Sequence, residues 1–144
     1  MTPATALTAV IAQLNAAGLK QVRSPAGISQ VSNNRANRCF SVAAGSIRPA
    51  PKPSRGQPNA VGLRMTHTFR VEMGHRLKPA DGLEAPSQSL EDLHLVYKQL
   101  SALGTTLTAE GAIIIGTANS TITGSGAYLV TAFDLAVTYN LALV

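Results

Sequence analysis

Three histidines and one cysteine are the side chains of this 144-residue chain best suited to metal binding or nucleophilic catalysis. His67 and His75 lie in one predicted strand, roughly 26 Å apart at the rise of an extended chain, so a straight strand cannot bring them to one ion. No H-x-H, C-x-x-C or H-E-x-x-H spacing occurs. His94 shares a predicted helix face with Leu90 and Tyr97. We therefore interpret the histidines as core-edge or interface residues and expect no metal site.

The cysteine and the acids form no catalytic pattern either. Cys39 lies beside Phe40 in a predicted strand, which favours a small buried side chain over an activated thiol. Glu91 and Asp92 are adjacent and point to different faces of a predicted helix. Asp134 lies among small residues in a strand, where it could pair with a base across the sheet or across a subunit interface. Neither a G-x-G-x-x-G nor a G-x-S-x-G motif is present. We expect no catalytic residue and no cofactor.

Bases and acids divide between two halves of the chain. Residues 1–71 contain nine bases and no acid, whereas residues 72–144 contain all seven acids and three bases. The basic half could bind nucleic-acid phosphates, or it could meet the acidic half of another copy in a head-to-tail contact that closes into a ring. Alternatively, the halves interleave in one fold and the asymmetry disappears. Aromatic residues that would stack on bases are scarce near the basic positions, which weakens the nucleic-acid interpretation.

The composition predicts one soluble, intracellular domain over residues 1–144. Hydrophobic residues make up 45% and charged residues 13% of the chain, which excludes disorder throughout. A single cysteine excludes a disulfide scaffold. No apolar run reaches the roughly 18 residues of a membrane-spanning helix, and no basic segment of a secretory signal precedes the apolar N-terminal stretch.

Two helices are predicted. Thr2-Pro3 is a favourable helix start, and apolar residues follow at helical spacing until Gly18, a typical C-terminal stop. Residues 19–37 favour an irregular connector. A second helix is predicted over 89–100, where Ser89 and Asp92 take the positions of a capping box. Its predicted apolar stripe consists of Leu90, Leu93, Tyr97 and Leu100.

Four strands are predicted, and their pattern sets the fold class. The first covers about 38–47, with Gly45 indicating a bulge. Residues 61–77 alternate strictly, with apolar residues and two histidines at the odd positions. Residues 112–123 and 128–143 form a closing hairpin, whose last strand has one small, mildly polar face. The sequence therefore predicts an α+β fold, a mainly antiparallel sheet with two helices packed on one face.

A proline-rich basic segment, residues 48–60, separates the first two predicted strands and holds four of the eight prolines. Proline cannot donate to a strand ladder, so an extended hairpin loop is expected. Its limited conformational freedom lowers the entropy lost on docking, which favours an assembly arm over a solvated tip. The candidate subunit or partner interface residues are Arg48, Lys52, Arg55, Arg64, Arg70 and Asp134.

The order of these elements, with the stretches THTFRVEMGHRL, SLEDLHLVYKQL and VTAFDLAVTYNLAL, resembles the tail-terminator and neck proteins of tailed bacteriophages. The resemblance implies a leading helix over 5–17, a hairpin with a long tip over 38–77, a helix over 89–100 and a closing hairpin over 112–143. It also implies a virion structural protein without enzymatic activity, because the family has no catalytic signature.

The resemblance implies a set of partners as well. The chain would form a homo-oligomeric ring, a hexamer, that caps the head-proximal end of the tail tube and joins it to the neck. Its partners would be the tail tube protein and a neck or head-completion protein, with DNA passing through the ring without specific binding and no membrane contact. The protein would be located in the virion, and in the host cytoplasm during assembly. Alternatives are a head-closure, connector or tube-like ring protein of the same virion, or a nucleic-acid-binding module.

Overall fold

One open sheet with two helices makes up the described part of the chain. The computed structural model describes residues 2–22, 37–49, 64–77, 83–103, 109–122 and 128–140. The elements are α1 (Pro3–Ala16), β1 (Lys20–Gln21), β2 (Cys39–Pro49), β3 (Arg64–Arg76), α2 (Glu84–Ser101), β4 (Ala109–Ile122) and β5 (Tyr128–Asn140). The strand order is β1-β2-β3-β5-β4. Only the short β1 pairs in parallel, and the other neighbours are antiparallel. The predicted α+β class is confirmed.

Helix α1 begins and ends at the predicted signals. Thr2 is the N-cap, and its side chain and that of Thr5 form a reciprocal capping box. Pro3 occupies the first turn, where a missing N–H breaks no hydrogen bond. Gly18 follows the helix with a φ of +92°, in the left-handed region that glycine adopts without strain.

The β2–β3 hairpin contains the predicted bulge. The pairing register shifts between Ala44 and Ile47, so Gly45 lies at the irregularity. A side chain at Gly45 would place its Cβ 2.8 Å from the carbonyl oxygen of Thr68, a distance that real Cβ atoms do not reach. Close approach of the two backbones therefore requires glycine here.

The core lies between the helices and one face of the sheet. Odd-numbered residues of β3 and β5 point towards both helices, and the predicted alternation of β3 is confirmed. Tyr97 of α2 contacts Phe133 edge to face, with 5.4 Å between the ring centroids. The largest fully buried side chains are Tyr139, Phe40, Phe69, Phe133, Leu14, Met73, Leu100, Leu103, Leu135, His75 and Val10.

Helix α2 differs from its prediction in both its start and its buried face. It begins at Glu84, five residues before the predicted start. Pro86 lies in the first turn, where proline is tolerated. Ser89 and Asp92 are therefore buried residues of the helix interior, and their predicted role as a capping box is wrong. Leu100 is buried as expected, but Leu90, predicted to face the core, is 69% exposed.

Several other predictions are adjusted by the structure. Strands β4 and β5 are antiparallel neighbours as predicted. The two-residue strand β1 was not predicted, and it lies in the segment expected to be an irregular connector. Arg48 and Pro49 belong to β2. The rest of the predicted assembly arm, including Lys52 and Arg55, lies outside the described residues.

Candidate functional site

A buried charged cluster lies between the N-terminal half of α2 and the sheet, with Asp92 at its centre. Arg38 donates to both carboxylate oxygens of Asp92, from Nε to Oδ2 at 3.0 Å and from Nη2 to Oδ1 at 2.7 Å. The Nε2 atom of His75 lies 2.7 Å from Oδ2, and the amide of Gln88 donates to Oδ1 at 3.2 Å. This bidentate, charge-assisted arrangement is the strongest geometry that an arginine–carboxylate pair can adopt.

Three local features bring Arg38 to this cluster. Its φ of +53° is in the left-handed region, which is uncommon for a residue other than glycine. Its carbonyl oxygen accepts a hydrogen bond from the backbone N–H of Lys20 at 2.9 Å, which ties β1 to the start of β2. A Cβ on Gly18 would lie 3.4 Å from the Arg38 Nη2 atom, so the glycine leaves room for the guanidinium to pass.

The environment keeps Asp92 ionised. Burial by itself raises the pKa of Asp92, but the hydrogen bonds from Arg38, His75 and Gln88 and the charge of Arg38 outweigh it and lower the pKa below 3.8. The hydrogen bond with Asp92 in turn raises the pKa of Arg38, against the opposing effect of burial. The cluster is thus an ion pair at neutral pH.

A carboxylate that orients an imidazole is half of a general-base arrangement, but this pair faces the interior. His75 and Asp92 are both fully buried. The nearby hydroxyls of Ser89 and Thr131 are buried too, and they lie 2.8 Å apart in a hydrogen bond with each other. What the cluster does in this structure is hold the polar first half of α2 onto the sheet.

The sequence contained a signal for this cluster that the prediction missed. The buried residues on this side of α2 are Ala85, Ser89, Asp92, Val96 and Leu100. Their spacing of three or four residues is that of one helix face. Extending the predicted helix back to Glu84 would have placed Asp92 on that face, although nothing in the sequence singled out Arg38 as its partner.

The structure brings two of the predicted interface residues together. Arg70 and Asp134 are register partners on β3 and β5, with 3.6 Å between Nη1 and Oδ1, and Glu72 lies 3.8 Å from the Nε atom of Arg70. All three lie on the face opposite the helices. Asp134 therefore pairs with a base across the sheet, one of the two arrangements expected.

The other described candidates lie at the far end of the β2–β3 hairpin. Arg48 is exposed near the end of β2, and Arg64 is partly buried at the start of β3. The register places this end of the hairpin far from the Asp92 cluster, since Arg48 pairs with Thr66 whereas Cys39 pairs with Gly74.

The Arg70–Asp134 pair is expected to contribute less than about 1 kcal/mol to stability, because both side chains are about half exposed. The variants Arg70→Ala, Asp134→Ala and the double variant form a cycle that isolates the pair, with unfolding followed in urea. A coupling energy above about 2 kcal/mol would contradict this and would make the pair part of the folding energetics.

Two exposed surfaces were not predicted. The first, the outer α2 face, consists of Leu83, Leu90, Glu91, His94 and Leu95 and includes three leucines that are 76%, 69% and 40% exposed. An open groove of about 500 Å³ runs along its last four residues. The second, the β2 outer half, is Ala44–Pro49, where every residue is exposed.

In the part of the chain that the structure describes, one edge of the β2 outer half is not paired with another strand. Strand β1 covers only the first two residues of β2, because it pairs with Cys39 and Phe40. Along the rest of β2, no other strand of the described segments pairs with the edge facing away from β3. An ordered strand with one unpaired edge is a common site of contact with another chain.

The described residues contain neither a grouping of metal ligands nor a membrane-spanning helix. Within the ranges that the structure describes, no three His, Cys, Asp or Glu side chains are grouped so that they could share a metal ion. Neither helix of those ranges has the length and apolar character needed to cross a membrane.

A scan against models of known protein families finds no match to this chain, and a search of curated proteins finds no significant match.

Proposed function

We propose that the protein is a virion structural component, a bacteriophage tail terminator that forms a ring at the head-proximal end of the tail tube and joins it to the neck. The observation that carries the proposal is the β2 outer half, six consecutive exposed residues, four of which (Ala44, Ile47, Arg48 and Pro49) are register partners of β3 residues. A strand whose outer edge is unpaired within the described segments suits a surface completed by another subunit. The order of helices and hairpins agrees with the resemblance.

The distribution of charge supports the same proposal over a nucleic-acid-binding module. Arg70, an exposed base of the central β3 strand, faces Glu72 and Asp134, so its charge is largely compensated within the chain. A nucleic-acid surface needs uncompensated bases and stacking aromatics. The described sheet face opposite the helices combines both charge signs, which suits protein–protein contact.

The test is the mass of the purified protein in solution, alone and with the tail tube protein. We expect a six-membered ring, visible by negative-stain electron microscopy and by sedimentation velocity at high concentration or on the tube. A head-closure, connector or tube-like role would give a ring that does not bind the end of the tube. A chain that stays monomeric alone and with the tube protein contradicts the proposal, and salt-sensitive DNA retention by that monomer would favour the nucleic-acid-binding module.

A further inference from the structure

We propose that the outer α2 face of one copy binds the β2 outer half of the next copy, and that this head-to-tail contact builds the ring. The inference rests on the proposed ring and adds the two surfaces that form it. It commits to a second copy of this chain as the occupant of the groove on α2.

Helix α2 has an inverted distribution of polarity in its N-terminal half. Ser89 and Asp92 point inwards and are fully buried, whereas Leu83 and Leu90 point outwards and are mostly exposed. A helix on the surface of a monomer normally buries its leucines and exposes its acids. Exposed leucines beside buried polar residues therefore indicate that the outer side is also covered, in a larger assembly.

The β2 outer half matches the outer α2 face in apolar character and in charge. Of the five large apolar residues whose side chains are described and exposed, three are the leucines of the outer α2 face, and a fourth is Ile47 in the β2 outer half, 43% exposed. The charges are complementary as well, because the outer α2 face carries Glu91 whereas the β2 outer half carries Arg48 and no acid. Opposite charges around apolar contacts favour this pairing over two outer α2 faces that meet each other.

The two surfaces lie apart on the molecule. The N-terminal half of α2 contacts the sheet at His75 and Thr131. The β2 outer half ends at Pro49, which pairs with Met65. Along β3, Met65 and His75 are roughly 33 Å apart at 3.3 Å per residue. The near end of the β2 outer half, Ala44, pairs with Phe69, roughly 20 Å from His75 along the same strand. Two surfaces separated in this way on one domain are available to different neighbours, so a contact between them joins copies head to tail, the type of contact that closes into rings.

Cross-linking tests the contact directly. The only native cysteine, Cys39, is buried, so a short bis-maleimide reagent would react with introduced cysteines. We expect a Ser46→Cys chain mixed with a Ser87→Cys chain to give a cross-linked pair, and a chain that carries both changes to give a ladder that stops at six copies. Both serines are exposed. Ser46 belongs to the β2 outer half, and Ser87 lies between Leu83 and Leu90 at the helical spacing of the outer α2 face.

The matched control uses an exposed serine at the other end of the same helix. Ser101 lies 14 residues beyond Ser87, roughly 21 Å along the helix axis. A Ser46→Cys chain mixed with a Ser101→Cys chain is expected to remain uncross-linked. Equal cross-linking to Ser87→Cys and Ser101→Cys chains would overturn the inference, as would no cross-linking to either.

A second measurement separates this inference from the proposed ring. Leu90→Ser is expected to weaken association more than about tenfold, whereas Ile122→Ser, at an equally exposed apolar residue outside both surfaces, leaves it unchanged. Arg48→Glu and Glu91→Arg are each expected to weaken association, and the double variant to restore it. If all these variants form normal rings, the contact is wrong and the ring stands. If the unaltered chain forms no ring either alone or with the tail tube protein, both proposals fail.

Discussion

Replacing Asp92 with alanine is expected to lower the free energy of unfolding by about 3 kcal/mol at pH 7. Removal of one partner from a buried ion pair leaves the other groups uncompensated, at a cost of about 3–5 kcal/mol. The lower end applies here because Arg38 is about one third exposed and can turn towards water, whereas His75 is fully buried and cannot. Urea denaturation followed by circular dichroism measures the change.

The control for this prediction is Glu91→Ala, at the exposed neighbour of Asp92 on α2, which is expected to change stability by less than about 0.5 kcal/mol. Asp92→Asn keeps the shape of the side chain and provides a second variant if the alanine protein does not fold. Equal stabilities for Asp92→Ala and Glu91→Ala would contradict the structural role of the cluster.

The effect of Asp92→Ala also depends on pH. In the folded protein the pKa of Asp92 lies below its ordinary value of 3.8. The contribution of the ionised carboxylate to the free energy of unfolding is therefore complete above pH 3.8, and it is lost as the pH falls through the lower pKa of the folded protein. The difference in stability between the two proteins is therefore expected to narrow in acid below about pH 4. A constant difference would show that the ionised carboxylate is not what stabilises the cluster.

Replacing His67 with methionine is expected to raise the free energy of unfolding by about 1–2 kcal/mol at pH 7. His67 is buried, and both of its ring nitrogens lack a hydrogen-bond partner in the described structure. An unsatisfied buried polar group costs about 1–3 kcal/mol, which an apolar side chain of similar volume recovers. Loss of the ring contact with Phe69, whose centroid lies 3.9 Å away, offsets part of this gain.

The gain from His67→Met is expected to grow as the pH falls below 6.5. Burial lowers the pKa of His67 from its ordinary 6.5, so the folded protein holds the neutral ring while the unfolded chain takes up a proton. The part of the free energy of unfolding that depends on the neutral ring is therefore complete above pH 6.5 and decreases below it. The methionine variant has no ring to protonate, so its free energy of unfolding does not show this decrease. Unfolding curves between about pH 5 and 8 measure it, since one pKa unit corresponds to 1.36 kcal/mol.

Tyr139→Phe is the matched control for His67→Met. The hydroxyl of Tyr139 is also buried without a hydrogen-bond partner in the described structure. Its removal is expected to stabilise the fold by up to about 1 kcal/mol with no change in pH dependence between pH 5 and 8, because phenols titrate far above that range. A loss of stability on His67→Met would show that the histidine makes a favourable interaction in the fold.

Local patterns were sufficient to predict the elements whose signals lie close together in sequence. The alternation of β3 predicted which residues are buried, because one face of the strand packs on the core and the other does not. Thr2, Pro3 and Gly18 predicted the ends of α1 for similarly local steric and hydrogen-bonding reasons.

Features that depend on distant contacts were missed. Strand β1 has two residues and exists only because it pairs with Cys39 and Phe40. Asp92 is a plausible cap in sequence, and its burial is favourable because distant residues pair with it, above all Arg38, 54 positions away. Asp134 was correctly singled out as a residue that pairs, but alternation alone could not choose between Arg70 and a second chain as its partner.

The pairing of β3 with β5 at the centre of the sheet has a consequence for how the chain folds. The two strands are separated in sequence by α2 and β4, and their paired residues range from Arg76 with Tyr128 to Arg64 with Asn140. The β2–β3 and β4–β5 pairs join strands that are consecutive in the chain, so each can form early as a local hairpin. The slow step is then the association of the two preformed hairpins, because closing the long loop between β3 and β5 costs conformational entropy before their contacts form. Until that step is complete, both hairpins expose the edges that later meet in the middle of the sheet, and chains at high concentration can exchange them.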